Sequence, residues 1–277
     1  MHEKLFNEDY LKHLCQKYSL IPSKKYGQNF LINPEPIEKM VAAAEIKKDS
    51  TVIEVGPGFG VLTFALVEEA KKVIAFEIEK RLAPYWAEET ERNKNLEIIW
   101  GDVLREMEAQ KFINTLPSYK VVANLPYQIT SHIIRTFLEL EHKPEVLVLM
   151  VQKEVAERIC APAGEMSVLS VSVQYYGEPE IITQVPRSDF WPAPAVDSAV
   201  LKITINNSQA GIGDKHKDFF RIVKAGFSSR RKMLIKNLSS VVDKKALKAI
   251  FQDLGIDEKV RAQELSVERW RALVERL

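Results

Sequence analysis

Residues 50–70 read STVIEVGPGFGVLTFALVEEA. The run from Thr51 to Val55 is apolar apart from one acid, Glu54. It breaks at three glycines, 56, 58 and 60, after which VLTFALVEEA continues at helical spacing. A short apolar run bounded by glycine predicts a buried strand. The glycines let the backbone turn sharply and approach a ligand closely. Outward from this unit the order repeats. KKVIAFEIE (71–79) is a second strand ending in an acid, LEIIWGD (96–102) a third, and YKVVANLPY (119–127) a fourth. PEVLVLMVQKEVAERI (144–159) is a fifth strand running into a helix. Strands alternating with helical stretches predict a doubly wound α/β sheet. Ligands bind beyond the carboxyl ends of such strands, where Glu77, Asp102 and Asn124 fall.

Upstream, residues 7–18 predict an amphipathic helix, IPSKKYGQNFLINPEP (21–36) an ordered loop, and Pro34–Ala44 a second helix. Downstream, IITQVPRSDFWPAPAVDSAVLKITI (181–205) predicts two strands joined by a Pro-rich loop, a hairpin added to the sheet. NNSQAGIGD (206–214) reads as a linker, and the pattern from 215 onward is helical. The expected domains are 1–205, carrying the sheet, and 206–277, helical.

The 277 residues are 46% apolar and 28% charged, ordinary for a globular chain that buries its own core. Cys15 and Cys160 are far apart, which argues against a disulfide framework or a zinc site and fits a reducing cytosol. The stretch MHEKLFNEDYLKHLCQKY is charged and lacks the apolar centre of a signal peptide, and no apolar run is long enough to span a bilayer. A cytoplasmic monomer without resident metal is expected. Net charge is +1, but its distribution is uneven. Lys215–Lys248 holds eleven Lys and Arg against two Asp, so a segment of +9 sits on a chain otherwise at −8. Such segregation points to a polyanion-binding face.

Glu77 stands 21 residues after Gly56, at the end of the second strand, where a carboxylate can accept from both hydroxyls of a ribose. That alone suits NAD or S-adenosylmethionine equally. Pro57 interrupts the glycine run where a dinucleotide fold would turn N–H groups toward a pyrophosphate. S-adenosylmethionine carries no phosphate and needs no such cradle. Asp102 is placed to accept from an adenine amino group, although capping a helix is its simpler use. The order of glycine loop, Glu77, Asp102 and a polar motif after the fourth strand resembles class I S-adenosylmethionine-dependent methyltransferases, with their Rossmann-like sheet.

That polar motif is Asn124-Leu125-Pro126-Tyr127. It resembles the [Asn/Asp]-Pro-Pro-Tyr type found in enzymes that methylate amino nitrogens of bases. The chemistry asks for these residue types. The exocyclic amine of adenine is conjugated with the ring and needs acceptors for its protons before its lone pair localises. The Asn124 side-chain oxygen is one acceptor and the Leu125 carbonyl a second, exposed because Pro126 disrupts regular pairing. Tyr127 stacks on the base, an interaction worth roughly 1–3 kcal/mol. The base must be unpaired or flipped out to reach such a pocket. Phe190 or Trp191, in DFWPAPAVDS, would form the opposite wall.

With these pieces in place the chain resembles the KsgA family of ribosomal RNA adenine dimethyltransferases. The matching blocks are KKYGQNFLIN (24–33), EVGPGFGVLT (54–63), NLPYQITS (124–131), FWPAPAVDSAV (190–200) and KAGFSSRRKMLIKNL (224–238). The resemblance implies that Asn29, Leu31, Gly56, Gly58, Glu77, Asp102 and Asn124 contact S-adenosylmethionine. It implies that the NLPY motif and Phe190 hold the target adenine. The implied reaction places four methyl groups on two adjacent adenines near the 3′ end of small-subunit rRNA. The helical segment then faces RNA, with Arg230, Arg231 and Lys232 on phosphates, joined by Lys24 and Lys25. A sister enzyme that methylates large-subunit rRNA shares the cofactor site and an Asn-x-Pro-Tyr motif, but KAGFSSRRK and VDSAV favour the small-subunit enzyme. A non-catalytic assembly factor on this fold would be expected to have lost Asn124 or the glycine loop. An NAD-linked oxidoreductase lacks its fingerprint here. Cytosine C5 methylation lacks its cysteine nucleophile near the strand ends.

Overall fold

The computed structural model describes residues 3–22, 28–104, 113–206 and 214–277. The chain divides into two compact units. One comprises Met1–Ala156 with Glu180–Ile205, the other Glu157–Pro179 with Asn206–Leu277. The strands, in chain order, are β1 (Phe30–Leu31), β2 (Thr51–Val55), β3 (Lys72–Glu77), β4 (Leu96–Trp100), β5 (Tyr119–Asn124), β6 (Val146–Gln152), β7 (Gly177–Val185), β8 (Phe190–Trp191) and β9 (Ser198–Ile205).

Seven of them form one sheet in the order β4-β3-β2-β5-β6-β9-β7. β2 to β6 run parallel to one another, and β9 runs antiparallel to β6. All five residues of β2 are buried, as expected of a parallel strand covered on both faces. The covering helices each turn apolar side chains toward the sheet. Leu11 and Leu14 face inward from Glu8–Lys17, Ile37 and Met40 from Glu35–Ala44, Leu62 and Leu66 from Val61–Glu69, and Trp86 from Ala83–Arg92. Asn7 caps the first of these by accepting the Tyr10 N–H at 2.9 Å.

The α/β sheet with a helical C-terminal part agrees with the sequence reading, and two details differ from it. β8 is not part of the added hairpin. It leaves the main sheet and pairs antiparallel with β1, inside the segment read as loop, with Phe30 opposite Trp191 and Leu31 opposite Phe190. Strands of two residues are too short for any periodicity to register. The second difference concerns 157–179, which the sequence reading kept within 1–205 and which clusters with 206–277. Met166 and Val171 are the physical reason. They pack into the second core with Phe219, Val223, Leu234, Phe251 and Trp270 rather than onto the sheet. Among the described residues that unit carries the α-helices Val168–Tyr176, Asp214–Gly226, Leu234–Leu238, Lys244–Asp253 and Val267–Glu275. Among the described residues no helix is long and apolar enough to cross a membrane.

Candidate active site

From β2 the chain steps outward to β3 and β4, then returns to β5 on the other side of β2. This reversal opens a crevice beyond the carboxyl ends of β2 and β5, the usual ligand position in such sheets. Gly56 and Gly60 frame the turn after β2, and both have left-handed φ, +73° and +89°. Their needs differ. A Cβ on Gly60 would lie 2.7 Å from Phe64 Cε2 and 2.9 Å from Trp86 Cη2, so packing excludes it. A Cβ on Gly56 would meet nothing within 4 Å. There the backbone angle is the constraint, and the space beside it is left for a ligand.

The crevice is a cleft of about 860 Å³, counting its open mouth. Asn29, Leu31, Gly56, Gly58, Glu77, Asn124 and Pro126 all line it. These residues come from four separate parts of the chain, and the sheet brings them together. Glu77 is buried, and its carboxylate accepts the Gly58 N–H at 3.2 Å and the Glu79 N–H at 2.7 Å. Burial pushes its pKa up, against the pull of these N–H groups. Each carboxylate oxygen can accept more than one bond, so both keep capacity for ribose hydroxyls.

Other expected residues stand apart from the cleft. Asp102 is half-buried and accepts the Leu104 N–H at 3.0 Å, which is the capping use the sequence allowed for it. It is not among the residues lining the cleft. Leu125 is buried and donates its N–H to the Met150 carbonyl, while the Pro126 carbonyl accepts from Ile129 N–H and Thr130 Oγ1. Tyr127 is half-buried, with its hydroxyl 2.7 Å from Ser198 Oγ, and burial raises its pKa. Phe190 is 4% exposed and packs in the core, whereas Trp191 is half-buried and stacks on Phe30 at 6.2 Å. Lys24 and Lys25 lie outside the described residues.

Several cleft residues were not anticipated. Ile78 is an apolar side chain left 53% exposed immediately after Glu77, and it lines the cleft. Its signal was an isoleucine beyond a strand's end. Glu54 is 2% exposed, lines the cleft, and its Oε2 finds no hydrogen-bond partner. Burial, helped by the nearby Glu77, pushes it up to about 8. An acid inside an apolar strand was the available signal.

In the second unit Arg230, Arg231 and Lys232 sit exposed on the turn between Asp214–Gly226 and Leu234–Leu238. Asn237, 4% exposed, holds that turn from beneath, donating to the Gly226 carbonyl at 2.6 Å and the Ser229 carbonyl at 3.0 Å. Gly226 has no room for a side chain, since a Cβ would lie 2.4 Å from Trp270 Cη2.

The model of the family "Ribosomal RNA adenine dimethylase" matches residues 22–277, which takes in both the cleft and the basic turn. The chain belongs to this family of ribosomal RNA adenine dimethylases. It is 42% identical over 264 residues to a ribosomal RNA small subunit methyltransferase A of Dehalococcoides mccartyi (strain 195), covering 95% of this chain and 90% of the relative. It is 37% identical over 278 residues to the protein of that name from Clostridioides difficile (strain 630), covering 98% and 96%. Among solved structures, a dimethyladenosine transferase from Plasmodium falciparum matches with a TM-score of 0.75 at 28% identity, over 88% of this chain and 95% of that one. The 23S rRNA methyltransferase ErmE matches with a TM-score of 0.72 at 27% identity, over 90% and 99%. The likeness to rRNA dimethylases extends over both units, and the cleft at the sheet's carboxyl edge gathers the glycine loop, Glu77, and Asn124 and Pro126 of the Asn-Leu-Pro-Tyr motif.

Proposed function

We propose that the cleft between β2 and β5 is the methyl-transfer site, with Asn124, Leu125, Pro126 and Tyr127 on the target base. The chain transfers methyl groups from S-adenosylmethionine to N6 of two adjacent adenines near the 3′ end of 16S-type rRNA, a step in small-subunit biogenesis. The observation that carries the site assignment is the convergence of Asn124 and Pro126 with Gly56, Gly58 and Glu77 on one cleft.

The cleft fits the cofactor's chemistry. Gly56 leaves open space for close approach, Glu77 presents carboxylate oxygens for a ribose, and Ile78 offers an apolar face for a base. Asn29 and Leu31 close the near side, and Asp102 accepts from the cofactor's adenine amino group. S-adenosylmethionine supplies an electrophilic methyl on a sulfonium. The protein's own work is alignment and acceptance of protons. The Asn124 side-chain oxygen and the Leu125 carbonyl accept the two N6 hydrogens, so that the lone pair points out of the ring. Tyr127, held at its hydroxyl by Ser198, stacks on one face of the base, and Phe190 or Trp191 closes the other. Because the displacement is direct, positioning supplies most of the rate and no strong base is needed.

Arg230, Arg231 and Lys232, together with Lys24 and Lys25, take rRNA phosphates. Such contacts place the RNA and carry little sequence information. The partner is the immature small subunit, met by a cytoplasmic monomer. A large-subunit target is the second reading, favoured by the likeness to ErmE. Higher identity to several small-subunit enzymes weighs against it. Incubation with tritiated S-adenosylmethionine and either unmodified small subunits or large subunits separates the two. Label in small-subunit RNA alone, lost with Asn124→Ala, supports the proposal, and label in large-subunit RNA overturns it.

A further inference from the structure

The two walls of the proposed site are tied together by a ribbon of only four residues. β1 carries Leu31 and continues from Asn29, both on the cofactor cleft. β8 is Phe190–Trp191, the candidate base wall. Between them run the pairs Phe30 with Trp191 and Leu31 with Phe190. Just beyond the ladder, Asp189 receives two bonds from the β1 side. Its carbonyl accepts the Ile32 N–H at 2.8 Å, and its Oδ2 accepts the Asn33 Nδ2 at 2.8 Å. Phe30 bridges the two ends. Its ring lies where it would be 3.5 Å from a Cβ on Gly58, 5.2 Å from the Phe59 ring, and stacked on Trp191.

We propose that this ribbon, latched by Asn33 and Asp189, couples the two sites, so that cofactor on Asn29 and Leu31 favours adenine against Phe190 and Trp191, and the reverse. The inference rests on the site reading above. A two-residue ladder is a weak tie by itself, since short isolated strand pairs are marginal in water. A ligand that holds either strand therefore adds to the ordering of the other. By linkage the same factor must appear in both directions. Asn33 and Asp189 act here as positioning residues, because neither is placed on substrate.

The latch permits a reciprocal test. Asn33 Oδ1 also accepts the Glu35 N–H at 3.1 Å at the start of Glu35–Ala44. Asn33→Asp keeps that acceptor but sets a carboxylate against Asp189. The double variant Asn33→Asp/Asp189→Asn reverses donor and acceptor and restores the bond. The measurement is the Kd of radiolabelled S-adenosylhomocysteine by equilibrium dialysis, with and without saturating unmethylated small subunits. Thermal melting confirms that each variant folds. In the unaltered protein the subunits tighten binding by about tenfold, within the roughly 5–150-fold span of ordinary couplings. The ratio falls toward one in Asn33→Asp and returns in the double variant. A ratio of one in the unaltered protein, or an unchanged ratio in Asn33→Asp, overturns the coupling. Methyl transfer by the unaltered protein is measured on the same subunits. Transfer with a ratio of one means that only the coupling has failed, whereas no transfer overturns the site reading and the coupling with it.

Discussion

The cleft at the sheet edge and the basic turn of the second unit are built in opposite ways. The cleft collects residues from Leu5 to Pro126, far apart in the chain, and many of them are buried. The turn presents three consecutive exposed cations, and its shape depends on one buried amide, Asn237. On the proposed reading the cleft works through geometry, so small displacements should cost a great deal, and the turn works through charge, which is tolerant of position but sensitive to salt.

Four variants test this contrast. Asn124→Ala removes an acceptor that matters most as the N6 protons are drawn away, and kcat in single-turnover assays should fall by about 10²–10³-fold, the usual cost of losing one such group. Asn237→Ala should act on stability instead. It leaves the Gly226 and Ser229 carbonyls without their buried donor, at about 2–4 kcal/mol, visible as a Tm lower by about 5–10 °C. Replacing Arg230, Arg231 and Lys232 together by Ala should leave Tm nearly unchanged. The slope of log affinity for small-subunit RNA against log salt should become shallower by about 2–3.

The remaining variant concerns Glu54, whose folded pKa, pushed up to about 8 by burial, lies above its unfolded value. Between those two values the folded chain holds a proton that the unfolded chain releases. Stability from this group is therefore complete below the unfolded pKa and is lost as pH rises toward 8. Glu54→Gln removes that dependence. Its Tm relative to the unaltered protein should improve by about 10 °C from pH 5 to pH 8 in the absence of ligand. A constant difference across that range would mean that Glu54 is already ionised in the fold.

The sheet was legible because its strands are short apolar runs separated by helices, and burial on both faces leaves little choice of residue in β2 or β6. That Gly56, Glu77 and Asn124 would meet at one cleft was legible because each sits at a strand's exit, where such folds open a crevice. What escaped depended on contacts between distant segments. The β1–β8 ribbon has too few residues to show a period, and it exists only because 30–31 and 190–191 meet in space. Ser198 gives no local sign that it will hold the Tyr127 hydroxyl, 71 residues away. Whether Phe190 or Trp191 forms the base wall was not legible, since the chain pattern reveals that a residue is aromatic but not which way it faces; Phe190 is buried and Trp191 half-buried. Membership of 157–179 in the second unit likewise turns on where Met166 and Val171 find apolar partners.

The central claim is that Asn124 and its neighbours present adenine N6 to the cofactor in the β2–β5 cleft. The most direct measurement is mass spectrometry of nuclease fragments from unmodified small-subunit RNA after incubation with S-adenosylmethionine and either the unaltered protein or Asn124→Ala. The account predicts N6,N6-dimethyladenine at two adjacent positions near the 3′ end with the unaltered protein, and neither with the variant on the same timescale. Full dimethylation by Asn124→Ala, or methyl groups on another base or ring position, would contradict it.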